Sequence, residues 1–250
     1  PLAIMSGNLV SAMRTGAVAG VGAKHLARKG SEIVGLIGGG VINKACLRAI
    51  VSAVPNIKKC LLFELIPERA KAFVQDLEEE LKIQIECTST EKEVLKQSDI
   101  VSYASAGAKK PVICEDLLKE GVLVTVTAGV EMSDSFLLNS KIVVDNIKMH
   151  LAYLHEKDEH PDGYKRVLNL PSGPLLKLIV EEKICSSEIS NLGDVISKKE
   201  IGRDNEKEKI IFFSGGMPTY DLAWAFTVFD KARKMGLGKD LVVWNEPQWF

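Results

Sequence analysis

Apolar and polar positions along the chain alternate between two periods, one typical of helices and one typical of buried strands. Residues 14–30 carry small apolar residues in a helical pattern, and a continuous apolar run follows at 33–40. Residues 43–54 return to helical spacing, and a second apolar strand pattern follows at 58–65. Pro67 then favours the first turn of another helix, because proline is tolerated at that position. The order of these segments predicts repeated strand–helix units.

The same alternation continues through the first 146 residues. Four further apolar strands are predicted at 82–88, 99–104, 122–128 and 141–146. Short helical segments at 91–96 and 115–119 separate them. Repeated strand–helix units give parallel strands with helices on both faces. The sequence therefore predicts an α/β fold built on a Rossmann-type, doubly wound parallel sheet.

The pattern is less regular in the second part of the chain. A polar loop that carries histidines is predicted at 155–166, and two amphipathic helices follow at 175–183 and 187–198. A late apolar strand is predicted at 209–215 and a long helix at 220–235.

Composition narrows the classes of function. The 32 Lys and Arg residues nearly balance the 33 Asp and Glu residues, so the chain lacks a basic field for nucleic acid or an anionic membrane. Its apolar stretches are short and broken by glycine, so no membrane span is predicted. The five cysteines are scattered and odd in number, without a C-x-x-C pair, which favours reduced thiols in a cytoplasmic setting. A small neutral or zwitterionic ligand fits this composition best.

A glycine-rich turn, GLIGGGVIN at 35–43, lies between a predicted strand and a predicted helix, where dinucleotides bind. Gly38 is expected to make the tight turn, and Gly40 to let the backbone approach a pyrophosphate at the positive end of the helix. Asn43 occupies the third glycine position, so the match is imperfect. The alternative is a tight turn with no ligand.

An acidic residue, Glu64, ends the next predicted strand. A carboxylate at this point accepts both hydroxyls of an adenosine ribose and repels a 2′-phosphate. Leu65 follows, where an NADP site favours Arg or Lys. We therefore expect a dinucleotide site that prefers NAD.

Two segments resemble one family. RTGAVAGVGAKHLARKG at 14–30, followed by VGLIGGGVINKA at 34–45, is similar to the start of the nucleotide domain in the ornithine cyclodeaminase/mu-crystallin family. Residues 190–241 resemble that family's closing segment, with its G-R loop, strand, glycine turn and D-L-A helix. Together these matches are far more specific than the glycine turn alone.

The resemblance implies an NAD-dependent enzyme that exchanges hydride at the alpha carbon of an L-amino acid through an imine. Ornithine cyclodeaminases and amino-acid dehydrogenases work in this way. Two alternatives stay open: an NAD(P)H-dependent ketimine or imine reductase, and a mu-crystallin-like binding protein without turnover.

The resemblance also implies a domain organisation and a partner. Family members usually carry a further segment ahead of the Arg-Thr motif, and we expect the chain shown to lack it. Residues 1–15 are then the end of a substrate-binding and dimerisation domain, 16–222 the NAD-binding domain, and 223–250 a helix and tail that return to the first domain. A homodimer is expected, with the aromatic helix at 220–235 as part of the contact.

Site residues follow from the resemblance by position. Cofactor contacts are expected at Arg14, Thr15, Gly38, Gly40, Val41, Ile42, Glu64, Ser105, Ala128, Gly129 and Ser214. Arg14 and Gly215 are expected to contact the substrate as well, because a planar guanidinium suits a carboxylate.

The catalytic carboxylate is expected at Glu131. The family's acid–base residue ends a V-G-x-D stretch that P-G-K usually follows, and this chain has AGVEMSD there, so Glu131 is the best match. A carboxylate beside a nicotinamide can take a proton from the substrate ammonium and return one to an imine. The alternatives are a solvated loop position for Glu131 and a catalytic role for Asp134.

Other polar residues are expected to have structural roles. His150, His155 and His160 recur every five residues, a step that turns side chains away from one helix face, so a solvated loop is favoured over a metal site. Asp221 is expected to be a carboxylate that suits the helix dipole at the start of the last helix.

Overall fold

The structure, a computed structural model, describes residues 2–105 and 110–242. These residues form one eight-stranded sheet with strands β1 Ile33–Ile37, β2 Lys59–Phe63, β3 Gln84–Cys87, β4 Ile100–Tyr103, β5 Leu123–Val126, β6 Lys141–Val144, β7 Ser190–Asn191 and β8 Ile210–Phe213. All pairings are parallel, in the order β3-β2-β1-β4-β5-β8-β6-β7. The late strand β8 thus enters between β5 and β6.

Helices cover both faces of the sheet. They are α1 Gly7–Leu26, α2 Val41–Ala53, α3 Pro67–Leu81, α4 Glu91–Gln97, α5 Asp134–Leu138, α6 Ile147–Ala152, α7 Glu156–Glu159, α8 Gly163–Asn169, α9 Gly173–Val180, α10 Leu192–Ile196 and α11 Pro218–Lys234. Every residue of β4, β5 and β8 is buried, as expected for strands that are covered on both sides. Phe212 packs in the core beneath α1, α2 and α3, and its neighbour Phe213 packs in the core beneath α4, α5 and α9. The predicted α/β fold with a doubly wound parallel sheet is confirmed.

Close packing of α1 on α2 depends on two glycines. A Cβ at Gly16 would lie 2.4 Å from the carbonyl carbon of Ala45, and one at Gly20 would lie 2.7 Å from the Cβ of Ala49. Both contacts move forward by four residues in each helix, so α1 and α2 run in the same direction here. Thr15, one residue before Gly16, therefore lies level with the first turns of α2. The predicted helix at 14–30 begins earlier in the structure, at Gly7, so Arg14 and Thr15 lie inside α1.

Two predictions for the second part of the chain are wrong. The single helix expected at 187–198 is instead strand β7 followed by α10, after a 3₁₀ turn at Ser186–Glu188. Backbone pairing of β7 with β6, which matches Ser190 to Val143, takes precedence over the local helical spacing there. The loop expected at 155–166 contains α7 and the start of α8, although most of its side chains are exposed.

The predicted domain boundaries fall inside helices. The boundary between 15 and 16 lies within α1, and that between 222 and 223 lies within α11. Residues 243–250 of the last predicted domain lie outside the described part of the chain. Among the described residues, no helix has the length and apolar character needed to cross a bilayer.

Candidate functional site

The carboxyl ends of five neighbouring strands lie level with one another. Ile37, the last residue of β1, pairs with Tyr103 of β4, which pairs with Val126 of β5. Val126 pairs with Phe213 of β8, which pairs with Val144 of β6. The residues that follow these strands therefore share one edge of the sheet, where ligands of open α/β folds bind.

The glycine turn follows β1 at this edge. Gly38 has a φ of +94°, a conformation that favours glycine, and its N–H donates to the carbonyl of Phe63 at 2.9 Å. A Cβ at Gly38 would lie 3.3 Å from the Cβ of Ser105, so the structure brings these two predicted residues together. Gly40 supplies no side-chain cap to α2, and a Cβ there would meet nothing within 4 Å. The first N–H groups of α2, at Val41 and Ile42, have no partner within the helix, which is the arrangement that binds anions at helix starts.

Asn43, at the position of the missing third glycine, is fully buried and braces the turn. Its Nδ2 donates to the carbonyls of Ile37 at 3.0 Å and Gly38 at 2.7 Å. Its Oδ1 accepts from the Ser102 hydroxyl at 2.8 Å. The departure from the glycine fingerprint therefore replaces a small residue with an amide that joins β1, α2 and β4.

Glu64 lies beside the turn, as expected for a ribose-binding carboxylate. Its Oε2 accepts from the Gly39 N–H at 2.7 Å, and its Oε1 accepts from the Ile66 N–H at 3.0 Å. A carboxylate offers about four acceptor positions, so two remain for the hydroxyls of a ribose. The glycine turn, the uncapped helix start and this carboxylate together fit a dinucleotide without a 2′-phosphate.

A second group of polar residues lies where β8 and β6 end. Ser214 is 4% exposed, and Gly216 has a φ of +81°. A Cβ at Gly216 would lie 2.3 Å from Nη1 of Arg14, so the guanidinium rests against this glycine. Arg14 donates from Nε to Oδ1 of Asp221 at 3.0 Å. Asp221, in the first turn of α11, therefore does more than suit the helix dipole, because it also orients the arginine.

The expectation that His150 lies in a solvated loop is wrong. The ring is fully buried, with Nε2 2.7 Å from Oδ1 of Asp145 and Nδ1 2.8 Å from Oγ of Ser172. Asp145 directly follows the apolar strand β6, and its Oδ2 accepts from the Gly216 N–H at 2.9 Å. The rule that selects Glu64, an acidic residue just after a buried strand, would also have selected Asp145.

Tyr220 is a further residue that the sequence did not single out. Its phenol is half-buried in the first turn of α11. Burial and the nearby negative charge of Asp145 raise the pKa of Tyr220 to about 12, while Arg14 acts in the opposite direction. The phenol therefore stays protonated at neutral pH.

The residues that follow β5 are more exposed. Glu131 has an exposed side chain, and its backbone pairs with the segment at 111–113, with Ile113 N–H donating to its carbonyl at 2.8 Å. Ala128 and Gly129 are half-buried, and a Cβ at Gly129 would lie 2.8 Å from the Asn169 carbonyl. Asp134, the alternative carboxylate, starts α5; hydrogen bonds from Lys183 and Lys177 lower its pKa.

The geometry of this edge agrees with the family suggested by the sequence. A family model described as the ornithine cyclodeaminase/mu-crystallin family matches residues 1–236. The chain belongs to this family. The prediction made from the motifs at 14–45 and 190–241 is thereby confirmed.

Several relatives are enzymes of amino or imino acids. The chain is 29% identical over 243 residues to a Delta(1)-pyrroline-2-carboxylate reductase of Bacillus thuringiensis subsp. konkukian, covering 96% of this chain and 70% of the relative. It is 26% identical over 248 residues to an alanine dehydrogenase of Archaeoglobus fulgidus, covering 96% and 69%.

A solved structure is similar in fold and sequence. It is the Delta(1)-pyrroline-2-carboxylate reductase of Thermococcus litoralis in complex with NADH and L-proline, with a TM-score of 0.77 and 29% identity. The match covers 94% of this chain and 68% of that chain.

Proposed function

We propose that this family member is an NAD-dependent enzyme that exchanges hydride at the carbon bearing the nitrogen of an amino or imino acid. The observation that carries the proposal is the shared sheet edge, which holds a dinucleotide turn with Glu64 at one end and Arg14 against Gly216 at the other. The enzymes named among the relatives and the NADH in the similar solved structure agree with this function.

The cofactor fits the first end of this edge. Gly38 and Gly40 let the backbone approach the pyrophosphate, and the amides of Val41 and Ile42 donate to it at the start of α2. Glu64 accepts from the adenosine ribose. The dinucleotide, when bound, supplies or accepts the hydride.

Arg14 anchors the substrate carboxylate in this proposal. Its Nε donates to Asp221 and its Nη2 donates to the Ser11 hydroxyl at 3.4 Å, which leaves the N–H groups of Nη1 and the second N–H of Nη2 for a ligand. Two parallel N–H groups suit a carboxylate, and the contact with Gly216 limits where the guanidinium can lie. Ser214 and Gly215 precede Gly216 in the same turn, and the Ser214 hydroxyl donates to Oδ2 of Asp145 at 3.5 Å.

Glu131 is the acid–base group of the proposal. Its side chain is exposed at the edge that follows β5, whereas two lysines hold Asp134 in ion pairs at 3.0 Å and 2.7 Å. We expect Glu131→Gln to lower kcat about 100-fold with little change in NADH affinity, since general acid–base catalysis contributes on this order. Asp134→Asn is the matched control and should keep most of the activity. Equal losses in both variants would exclude this role for Glu131.

Among the reactions predicted from the sequence, the relatives favour the reduction of an imine. The relatives that share 29% of residues with this chain are reductases of a cyclic imine. We expect NADH consumption when Delta(1)-pyrroline-2-carboxylate is added to the purified protein. An amino-acid dehydrogenase instead reduces NAD with an L-amino acid, and a cyclodeaminase releases ammonia from ornithine without net NADH production. NADH binding without turnover in any of these assays would favour a mu-crystallin-like binding protein.

We also propose a homodimer in a cytoplasmic setting. Residues 1–15 and 223–250 would belong to the substrate-binding and dimerisation domain. Leu222 and Phe226 on α11 are 70% and 59% exposed, which suits a subunit contact. All five cysteines are free thiols, in keeping with a reducing compartment. Phe226→Glu should lower the sedimentation coefficient, and an unchanged profile would exclude this helix from the contact.

A further inference from the structure

His150, Asp145 and Ser172 form a connected group beneath the turn at 214–216. They are 0%, 4% and 1% exposed, respectively. Ionised Asp145 has only acceptors, so Nε2 of His150 carries the proton of their hydrogen bond. Nδ1, on the other side of the ring, forms a hydrogen bond with the Ser172 hydroxyl at 2.8 Å.

We propose that His150 is a positioning residue, which orients Asp145 and thereby holds the turn at 214–216 against the guanidinium of Arg14. The proposal rests on the function proposed above, because it concerns the group that anchors the substrate. The chain of contacts runs from a buried ring to a residue at the sheet edge, in two steps.

The first step joins His150 to the turn. Oδ1 of Asp145 accepts from His150 and from the Asn146 N–H at 3.0 Å, while Oδ2 accepts from the Gly216 N–H at 2.9 Å. The Ser214 hydroxyl also donates to Oδ2, at 3.5 Å, so both oxygens are engaged and the ring is one of the groups that orient the carboxylate. The ring also lies directly beneath the turn, because a Cβ at Gly215 would be 2.9 Å from its Cε1.

The second step joins the turn to Arg14. A Cβ at Gly216 would lie 2.3 Å from Nη1 and 3.1 Å from Cζ of Arg14, so backbone and guanidinium are in contact. A displaced Gly216 would therefore displace the guanidinium or open a gap beside it. Misplacement of a substrate-orienting group by about 1 Å can cost about 100-fold in rate.

The order Asp–His–Ser resembles a hydrolytic triad, but burial decides against that role. A nucleophilic serine must reach a substrate carbonyl. The 1% exposure of Ser172, one residue before α9, does not allow such an approach. The hydroxyl instead fixes the far side of the ring.

Two substitutions of His150 separate its two hydrogen bonds. The amide nitrogen of Gln reaches about as far as Nε2, so His150→Gln keeps a donor for Asp145. Asn is too short to reach Asp145 and leaves that carboxylate buried with one partner fewer. The full chain, labelled with ¹⁵N, is used to follow amide exchange at Gly216 and the Nε–H signal of Arg14. KM and kcat are measured with NADH and Delta(1)-pyrroline-2-carboxylate.

In His150→Asn we expect faster exchange at Gly216, a shifted Arg14 signal and a KM for the imine raised by about 10- to 100-fold. His150→Gln should stay within about threefold of the wild type, since the donor to Asp145 is retained. Wild-type values of all three measurements in His150→Asn would overturn the proposal.

Two further results keep the test decisive. If His150→Asn does not fold, Ser172→Ala is used, because it removes only the hydroxyl. It should raise the amide exchange rate of Gly216 several-fold. Unchanged Gly216 and Arg14 signals would overturn the proposal. A wild-type protein that neither binds NADH nor reduces the imine would refute the proposed function alone. The Gly216 and Arg14 signals would still test the positioning role.

Discussion

Nε of Arg14 donates to Oδ1 of Asp221 at 3.0 Å, and this contact joins the first helix to the last. Both side chains are only partly exposed, at 19% and 38%. Because Arg14 is the proposed anchor of the substrate carboxylate, the ion pair connects α11 directly to substrate binding.

Substitution of Asp221 should therefore affect substrate binding more than stability. In Asp221→Asn we expect KM for the imine to rise about tenfold, as a charge-assisted hydrogen bond is weakened. The free energy of unfolding should change by less than about 1 kcal/mol, since the pair is partly exposed. Asp230→Asn, on the same helix and paired with Lys234, is the control. The same KM in both variants would contradict the role of Asp221.

The choice between NADH and NADPH should depend on the charge of Glu64. Glu64→Gln keeps an acceptor for the Gly39 N–H but removes the charge that repels a 2′-phosphate. We expect the ratio of NADPH to NADH affinity to rise at least about tenfold, or about 1.4 kcal/mol, in fluorescence titrations. Glu68→Gln, in the exposed first turn of α3, should leave the ratio unchanged. A ratio that moves equally in both variants would exclude a specific role for Glu64.

Asn43 should be needed for stability, although a glycine at this position would complete the dinucleotide fingerprint. Asn43→Gly leaves the carbonyls of Ile37 and Gly38 and the Ser102 hydroxyl without this partner. We expect the free energy of unfolding in urea to fall by about 3 kcal/mol, and by about 1 kcal/mol in Ser102→Ala. A fully stable Asn43→Gly would show that the amide does not brace the turn.

Two of the glycines in α1 have opposite surroundings, so their substitution by alanine should have opposite effects on stability. A Cβ at Gly16 would lie 2.4 Å from the backbone of Ala45, whereas one at Gly7 meets nothing within 4 Å. Gly16→Ala should lower the free energy of unfolding by about 1–3 kcal/mol and weaken imine binding, because α1 must move and carries Arg14 with it. Gly7→Ala should be neutral or stabilising by up to about 1 kcal/mol. Thermal unfolding of both variants tests the contrast, and equal midpoints would contradict it.

Stability in acid should depend on Asp99. This residue is 5% exposed and directly precedes β4, at the amino ends of the strands and away from the candidate site. Burial alone would raise its pKa, but the N–H groups of Glu32 and Ile33 and the ammonium of Lys119 outweigh it and lower the pKa. The folded pKa is below the unfolded value of about 3.9, so the contribution is fully present above that pH and is lost as pH falls through the folded pKa.

Asp99→Asn should accordingly destabilise the protein strongly at neutral pH and less in acid. The free energy of unfolding, measured in urea between neutral pH and about pH 3, should fall less steeply than in the wild type. Asp76→Asn, which removes a half-exposed partner of Lys44, is the control. A wild-type pH profile for Asp99→Asn would exclude this linkage.

The sequence by itself determined most of the parallel strands, the glycine turn and the position of Glu64 after the second strand. Strand, turn and helix follow one another within 33–54, so local periodicity and a few glycines are enough to predict them. Glu64 could be found because it directly follows β2, the next strand, in a position that neighbouring parallel strands bring to the same edge.

The tertiary structure alone decided what surrounds Arg14. Strand β8 enters between β5 and β6, and this choice places Gly216 beside Asp145 and Arg14 beside Asp221, although 71 and 207 positions separate the members of these pairs. A local pattern shows that β8 is buried, but not between which strands it lies. His150 illustrates the same limit: its spacing with His155 and His160 groups it with a polar loop, whereas the fold encloses it between Asp145 and Ser172.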